Sequence, residues 1–549
     1  MAEMIIPGTY IDVRDEGLVY AGAIATGIVG VVGTASRGPV YTPVTLGGFS
    51  DANDVFGFLD DYKDPLDGVH PLTLVRALQF IYGQGASMVV AVRVAASVST
   101  ATVKLYSGTS PAVEVVTLTA KTPGTWANHL LVSVDDSPND CRISAEPHEV
   151  AATTTSITLN YSPIANSPEN QIRVRSGATK VVTNLTIIIT GTPKPGEVLL
   201  DLENGALTFA DGQKPAAGDT VIATYVVDKI ACALVKLADG ENVERYIVPS
   251  GAVLAGLIQE SSQLVEATAN ASNGHELPKR GFSSFMTGGS NGADATVKDY
   301  SAGLDCLSNM LINIVHLAGQ DVATMGDTLL AHVNSASEND RERIGVIGAS
   351  GPTFQDYLAH TMSSGRIVVV APGVRDPNGL VLPPAYNAAA ITGLISVSTP
   401  ETSLTNKTAN IAGLSMDFNR GQQAQLIQRN VLAIVLGQGF RVVKGITTAG
   451  EGTPFSNISI RRIVDYAKYG VRSASNSYLG RLNNDRVRGA LKSSLDAFLT
   501  GMVEDEMLTD YQLEVTATRA EEVSGIVNVI MSLLPTFSID YIRVTMILR

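Results

Sequence analysis

The sequence predicts a multidomain α/β (α+β) protein with mixed α/β core domains, an all-β, sandwich-like insertion and an α+β C-terminal domain. Solid apolar segments alternate with helical patterns on both sides of a long stretch that has no helical period. The C-terminal stretch combines an amphipathic helix with strand-like alternation. A chain of 549 residues also exceeds the roughly 250–300 residues that one hydrophobic core usually covers, so several domains are expected.

The chain begins with a short alternating segment, Thr9 to Arg14, which predicts a strand. This segment follows a Pro-Gly turn signal and has no nearby segment to pair with. Residues 1–20 are therefore predicted to form an arm that is donated to a neighbouring subunit. The residues expected to form the donated strand are Thr9, Tyr10, Ile11, Asp12 and Val13.

Residues 21–96 are predicted to begin the middle α/β domain. Leu74, Leu78 and Ile81 lie at i, i+4 and i+7, the spacing of an amphipathic helix. The predicted elements are the strand Ile24–Gly33, the helices Phe49–Phe56 and His70–Tyr82, and the strand Met88–Val94.

Residues 97–235 are rich in Thr, Val, Ser, Gly and Pro, and their short apolar runs predict an all-β insertion. Helical patterns return in residues 236–454, which are expected to complete the middle domain with a sheet covered on both faces. The predicted helices are Val253–Glu266, Val297–Met310, Met325–Ser335 and Thr353–Ser363, and the predicted strands are Leu311–His316, Arg343–Gly348 and Arg366–Ala371, followed by a mixed segment, Phe418–Leu436.

Residues 455–549 are predicted to form a separate C-terminal domain. Its elements are the helices Ser459–Val471 and Asp485–Met502 and the strands Gln512–Thr518, Ile526–Leu533 and Ile539–Leu548. The last strand would place Ile542, Val544, Met546 and Leu548 on one face. A strand at this end of the chain is a second candidate for donation to a neighbour.

The C-terminal domain also contains a local excess of positive charge in a chain whose net charge is −14. Eight Arg and Lys residues against two acids lie between Arg461 and Lys492. Helical spacing predicts that Arg481, Arg488 and Lys492 share one face. That face is either simply solvated or makes an electrostatic contact with an acidic partner surface.

Composition excludes several classes of protein. A hydrophobic content of 45% with 17% charged residues is globular, and a pI of about 5.0 argues against nucleic acid as a partner. The three cysteines, Cys141, Cys232 and Cys306, are far apart and form no CxxC pair, so buried reduced thiols are expected rather than disulfides or a zinc site. No secretory signal and no apolar run long enough for direct membrane insertion are visible.

Catalytic motifs are weak. Gly27, Gly30 and Gly33 lack the spacing of a dinucleotide fingerprint. The segment Gly348–Gly351 follows a predicted strand and precedes a helix, so a nucleotide-binding turn remains an alternative to a plain strand-to-helix connection. No metal ligands, catalytic residues or cofactors are predicted, because the seven histidines are scattered and no P-loop lysine follows the turn.

Seven segments are distinctive in their order and spacing along the chain: Pro7–Asp12, Thr26–Pro39, Phe49–Gly57, Gly83–Val94, Pro123–Asn128, Ile458–Tyr466 and Gly525–Arg549. Together they resemble the contractile tail sheath family of bacteriophages, tailocins and related injection systems, with Ala127 where the family usually has Gly. The resemblance is strongest over residues 5–95 and 455–549, and Gly437–Thr448 departs from the family pattern.

The resemblance implies a non-enzymatic structural subunit that forms stacked six-fold rings around an inner tail tube protein. It implies that the terminal arms complete a small sheet in the C-terminal sheath domain of a neighbour, that Arg481, Arg488 and Lys492 face the tube, and that the β insertion lies outside. Baseplate and tail terminator proteins are further implied partners. The implied location is a virion tail or contractile particle assembled in the bacterial cytoplasm.

Two alternatives stay open at this stage. One is a nucleotide-binding α/β enzyme that uses Gly348–Gly351. The other is a non-contractile virion surface or assembly protein that displays the β insertion and needs no inner tube.

Overall fold

The structure, a computed structural model, describes residues 25–60, 71–152, 156–240 and 242–547. The chain forms two compact units: one contains the described residues up to Ala96 and from Asp294 onward, and the other is residues 97–293. The predicted insertion ended at residue 235, but the strand Ala233–Asp239 runs through that position and pairs with Asn242–Val248. Because backbone pairing crosses the predicted boundary, the β-rich unit extends to Ala293.

Nine of the described strands form the central sheet of the first unit, and its six inner strands are parallel. The outer strands run antiparallel to their neighbours. In spatial order the strands are Pro43–Leu46, Val89–Arg93, Val29–Gly33, Ile314–Asp321, Ile344–Gly348, Ile367–Ala371, Val431–Gly437, Gly439–Val442 and Thr408–Ala409.

Both faces of the central sheet are covered, as the solid apolar strands predicted. Val29–Gly33 and Ile367–Ala371 are buried along their whole length, which is typical of parallel sheets between two helical layers. One layer contains the helices Phe49–Phe56, Leu74–Gly83 and Pro384–Val397; the other contains Val297–Cys306, Val322–Glu338, Phe354–Leu358 and Arg420–Gln428.

The helix Pro384–Val397 packs over the middle strands of the central sheet and was not predicted. Eleven of its residues are buried, so it has no polar face to produce a helical period. Its start lies so close to the sheet that a Cβ on Gly348 would be 2.3 Å from the Ala385 nitrogen. The Pro384 at its first turn was the available signal, because proline favours that position.

Residues 97–293 are mainly β-structure with two hydrophobic cores. The described strands form a seven-stranded, a four-stranded and a three-stranded sheet beside the helix Gly251–Ser261. The seven strands are, in spatial order, Cys141–Glu149, Thr220–Val227, Gln171–Arg175, Val182–Ile188, Glu197–Leu200, Ala206–Phe209 and Ile157–Thr158. The other two sheets are Asn242–Val248, Ala233–Asp239, Leu131–Asp136 and Phe282–Phe285, and Val265–Ala269, Glu114–Ala120 and Thr102–Tyr106.

The C-terminal part of the first unit has two long helices, Ile458–Asn476 and Asp485–Glu504. Leu491, Leu495 and Met502 form a buried stripe on the second helix. Phe498 stacks on Tyr466 of the first helix, with ring centroids 5.9 Å apart. The ring lies where a Cβ on Gly470 would be, 2.0 Å away, so a residue without a side chain is required there.

Candidate assembly surfaces

The strands Leu508–Thr516 and Asn528–Pro535 form an antiparallel sheet, here called the terminal strand pair. The short helix Arg519–Ser524 joins them; it begins with a capping box between Thr518 and Glu521 and ends at Gly525, whose φ is +73°. Alternate side chains of both strands pack on the helix Asp485–Glu504. The inward-facing residues are Tyr511, Leu513, Val515, Val529, Met531 and Leu533.

The outer face of the terminal strand pair carries exposed apolar side chains. Ile530 is 61% exposed and Leu534 is 55% exposed. No other strand of the described residues pairs with this sheet. A two-stranded sheet is marginal by itself, and its unpaired edges offer backbone N–H and C=O groups to another strand.

The predicted third strand, Ile539–Leu548, does not form in this chain. Residues 539–547 lie outside any strand because no segment pairs with them, and Leu548 lies outside the described residues. Most side chains of this terminal segment (residues 536–547) are exposed instead, and Tyr541 accepts a hydrogen bond from Lys444 at 3.4 Å. Ile542 is 82% exposed, Val544 73% and Met546 87%, so one short segment leaves a row of apolar side chains uncovered.

The other predicted donated strand lies outside the described residues, and its role stays a prediction. It comprises Thr9, Tyr10, Ile11, Asp12 and Val13.

The three cations predicted to face a tube do not share a helix face. Arg481 precedes the helix, which starts at Asp485 after the N-cap Asn484. Its Nε donates to the Ser477 carbonyl at 3.1 Å, and its guanidinium lies 5.1 Å from the Tyr478 ring centroid. The uniform helical spacing assumed from the sequence is therefore wrong at Arg481.

Arg488 and Lys492 do lie on the helix, but they differ in environment. The Arg488 guanidinium donates to Glu522 at 3.0 Å, to Asn483 at 2.8 Å and to Asp485, and its side chain is 11% exposed. Lys492 is exposed. Arg488 thus links the helix to the segment between the two strands, whereas Lys492 faces solvent.

Other basic residues of the region hold the helix Ile458–Asn476 on the central sheet. Arg366, next to a sheet strand, makes two hydrogen bonds to Asp465 at 2.9 and 3.1 Å, and Arg461 also pairs with Asp465. Arg472 makes two hydrogen bonds to Glu342 at 2.9 and 3.1 Å. Much of the local excess of positive charge is therefore paired with acidic residues of the same chain. A count of charges in the sequence cannot reveal this pairing.

Glu342 is the most buried member of these pairs, with a side chain that is 3% exposed. Burial is the largest single effect and would raise its pKa, but the hydrogen bonds from Arg472 together with the positive charges of Arg472 and Lys468 hold the pKa below the ordinary value of 4.5. The same contact raises the pKa of Arg472. Both groups are charged at neutral pH.

Arg462 anchors the same helix at a different point. It donates to the carbonyls of Ser398 and Thr399 at 2.8 and 3.0 Å, at the C-terminal end of the helix Pro384–Val397, and to Thr26 at 3.3 Å. A cation at this position complements the helix dipole. Burial lowers the pKa of Arg462 to about 10, so it stays charged at neutral pH.

The turn Gly348–Gly351 is occupied by carboxylates rather than being open to phosphate. Ser350 Oγ donates to Asp321 at 2.7 Å, and the Thr353 backbone N–H donates to Asp356 at 2.9 Å. The helix that follows has five residues. The carboxylates of Asp321 and Asp356 therefore lie beside this turn and would repel a phosphate, which disfavours the nucleotide-binding alternative.

Two further features of the described residues bear on function. No group of three or more potential His, Cys, Asp or Glu metal ligands occurs among them. Within the same residues, no helix has the length and apolar composition needed to cross a bilayer.

Models of three protein-family domains match the chain. They are the phage tail sheath C-terminal domain over residues 451–549, the phage tail sheath protein central domain over residues 293–448, and the tail sheath protein Gp18 domain III N-terminal region over residues 26–94. Together they cover more than half of the chain.

Individual relatives agree with these matches. The tail sheath protein of Vibrio phage KVP40 is 30% identical over 91 residues, which is 16% of this chain and 14% of that protein. The sheath tail protein of Desulfitobacterium hafniense has a similar fold, with a TM-score of 0.57 at 14% identity over 96% of this chain and 100% of that one. The sheath tail protein of Listeria innocua gives a TM-score of 0.58 at 13% identity over 93% and 96%. The chain belongs to the tail sheath protein family.

Proposed function

We propose that this chain is the structural subunit of a contractile tail sheath that polymerises as stacked six-fold rings around an inner tube. Contraction of the sheath drives the tube through the envelope of a target cell. The observation that carries the proposal is the exposed apolar terminal segment beside a two-stranded sheet with unpaired edges, in a chain of the sheath family. A subunit with these two features is completed by further copies of itself.

Strand exchange is the proposed bond between subunits. The donated residues are Ile542, Val544, Met546 and Leu548 at one end and Thr9, Tyr10, Ile11, Asp12 and Val13 at the other. Each donated strand would add to the terminal strand pair of a neighbour, where it gains backbone hydrogen bonds and covers exposed apolar side chains such as Ile530. Burying one large apolar side chain stabilises by about 1.5–3 kcal/mol, so several per subunit favour polymerisation strongly.

The cationic part of the C-terminal domain is the proposed contact with the tube. Lys492 is exposed, and Arg481 lies in the turn before the same helix. Arg488 acts indirectly, because its ion pairs with Glu522 and Asp485 hold that helix against the terminal strand pair. An acidic tube surface would attract these cations without fixing them rigidly, which suits a surface that must later slide.

The remaining partners follow from this role. The sheath would start on a baseplate and end at a tail terminator protein, in a virion tail or another contractile particle assembled in the bacterial cytoplasm. The driving energy would be stored in the extended arrangement of subunits and released when their interfaces repack. A small gain per subunit suffices because it adds over many copies.

Negative-stain electron microscopy of the purified chain, alone and with its tube, tests the proposal. Hollow cylinders with helical striations are expected for the full chain. A variant without Met1–Arg14 is expected to remain folded but to form no stable sheath. Normal cylinders from that variant would contradict the role of the N-terminal arm, and sheets or shells that exclude a tube would instead favour a non-contractile surface protein.

A further inference from the structure

Two cysteines, Cys141 and Cys232, flank in the sequence the segment that forms the seven-stranded sheet of the β-rich unit. In chain order, the first strand of the sheet begins at Cys141 and the last strand ends at Val227, five residues before Cys232. All seven strands therefore lie between the two cysteines. The sheet has its own hydrophobic core, to which both cysteines belong. The chain enters and leaves this sheet at Cys141 and Cys232.

Backbone pairing brings the two cysteines together. Cys141 is the direct partner of Val227 across the first and last strands. The thiol of Cys232 donates to the carbonyl of that same Val227, with the sulfur 3.8 Å from the oxygen. The Cys232 thiol therefore lies next to the residue pair that contains Cys141.

The next sheet supplies a second, independent constraint. The thiol of Cys141 donates to the Ile247 carbonyl at 3.2 Å. Ile247 is paired with Leu234, two residues after Cys232. Two independent strand pairings therefore bring Cys141 and Cys232 close together in space. The sequence predicted buried thiols, and both Cys141 and Cys232 are buried. Their separation along the chain gave no sign that they lie close together.

We propose that Cys141 and Cys232 form a disulfide when the protein reacts with a peroxide. The bond would link the two ends of the chain segment that forms the seven-stranded sheet. The pair stays reduced where thiols are kept reduced and becomes linked in an oxidising environment. Cys306 belongs to the other compact unit and has no part in this bond.

The chemistry needs only the two thiols and the oxidant. The Cys141 thiolate attacks one oxygen of hydrogen peroxide; the O–O bond breaks, hydroxide leaves and takes up a proton, and Cys141 becomes a sulfenic acid. The Cys232 sulfur then attacks the Cys141 sulfur. The S–O bond breaks, and water leaves with the thiol proton of Cys232. Two thiols and one peroxide thus give one disulfide and two waters.

The exposure of the two thiols and the pKa of Cys141 indicate that the peroxide reacts with Cys141 first. Cys141 is 7% exposed and Cys232 is fully buried, so a small oxidant reaches Cys141 first. The neighbouring Cys232 thiol holds the pKa of Cys141 below its ordinary value, which favours the reactive thiolate. Cys232 is then in place as the second thiol.

A bond at this position constrains the whole sheet. It closes a loop of about 90 residues, and a long closed loop restricts the unfolded chain strongly. The folded chain already holds the two residues together, because Cys141 pairs with Val227 and the Cys232 sulfur lies 3.8 Å from the Val227 carbonyl oxygen. Oxidation is expected to raise the unfolding temperature of the seven-stranded sheet by about 5–15 °C.

The test uses the full chain, reduced, freed of reductant and treated with hydrogen peroxide. After denaturation, remaining thiols are alkylated and the peptides are analysed by mass spectrometry. The expected product links the Cys141 and Cys232 peptides within one chain, with the mass of two hydrogens lost, while Cys306 is absent from any cross-link. The variants Cys141→Ser and Cys232→Ser are each expected to lose the cross-link and the rise in unfolding temperature.

Two results would overturn the proposal. One is the absence of the linked peptide at a peroxide dose that oxidises Cys306. The other is a cross-link that joins different chains or includes Cys306. Both concern the unsubstituted chain, so they are informative even where a serine variant folds poorly. The variant Cys306→Ser is the matched control and is expected to form the Cys141–Cys232 bond normally.

Discussion

The central sheet and the terminal strand pair belong to the same compact unit but differ in how completely other elements of the chain cover them. The central sheet has strands such as Ile367–Ala371 that are buried throughout, and helices cover both faces. The terminal strand pair has one covered face, with Ile530 and Leu534 exposed on the other and Ile542 exposed nearby. The first sheet is complete within one chain and carries stability; the second is incomplete and, in our account, carries assembly.

The largest expected effect is on assembly. Deleting residues 537–549 removes side chains such as Ile542 and Met546 that are more than four-fifths exposed, so the free energy of unfolding should change by less than about 0.5 kcal/mol. Sheath formation should be lost, because each neighbour loses its donated strand. Thermal unfolding and electron microscopy of the same sample measure the two effects.

A point variant sharpens this experiment. Ile542→Glu keeps the segment but places a charge in the proposed sheet and should also prevent assembly. Ile230→Glu, at a residue that is 64% exposed in the other compact unit, is the matched control and should assemble normally. Cylinders of normal length from Ile542→Glu would show that the terminal segment is not inserted into a neighbour's sheet during assembly.

The second effect is on stability. Ile391 is fully buried in the helix Pro384–Val397, so Ile391→Ala should cost about 2–5 kcal/mol in the free energy of unfolding. Val397→Ala, at a residue 47% exposed at the end of the same helix, should cost much less. Denaturant unfolding measures both, and equal losses would show that the central sheet does not dominate stability.

The third effect concerns the link between the two sheets and depends on pH. Because the folded pKa of Glu342 is lowered, its contribution is fully present above the ordinary value of 4.5 and is lost as pH falls through the folded pKa. Glu342→Gln should therefore destabilise by about 1–3 kcal/mol at neutral pH, and the difference from the unsubstituted chain should shrink below pH 4.5.

Acid unfolding of both proteins, followed by fluorescence, measures that difference. Burial lowers the pKa of His316 to about 4, and its protonation destabilises both proteins equally as pH falls. Subtracting one profile from the other isolates Glu342. A difference that stays constant into the acid range would show that the charge of Glu342 is not what stabilises the contact with Arg472.

The smallest effect is on tube binding. Lys492→Glu should weaken the affinity for the tube several-fold at low salt, and the loss should diminish at high salt because exposed charges are screened. Lys298→Glu, at an exposed lysine on another helix, is the matched control. Co-sedimentation with preformed tubes measures the affinity of both variants. Equal affinities would show that Lys492 does not contribute to the contact with the tube.

The sequence predicted the parts of the fold whose patterns are local. The solid apolar strands Ile344–Gly348 and Ile367–Ala371 and the amphipathic helix Asp485–Glu504 were recognised because burial imposes a period or a run on the residues themselves. The helix Pro384–Val397 was missed because burial on all sides leaves no period. The domain boundary at 235 was wrong because strand pairing joins residues across it.

The candidate site was predictable only in part. The alternation of apolar residues such as Ile542 and Val544 is visible in the sequence itself and is enough to indicate a strand available for donation. The pairing of Arg472 with Glu342, and the proximity of Cys141 and Cys232, depend on contacts between segments far apart in the chain, which spacing cannot reveal. Arg488 shows the same limit, since a count of charges does not tell a paired cation from a free one.

Hydrogen exchange of residues 539–547, in the free subunit and in the assembled sheath, tests strand donation most directly. In the free subunit these amides lie outside any strand and should exchange at nearly unprotected rates. In the sheath they should pair with a neighbour's terminal strand pair and exchange at least about 100-fold more slowly. Equally fast exchange in both states would show that the terminal segment is not donated as a strand and would contradict the account.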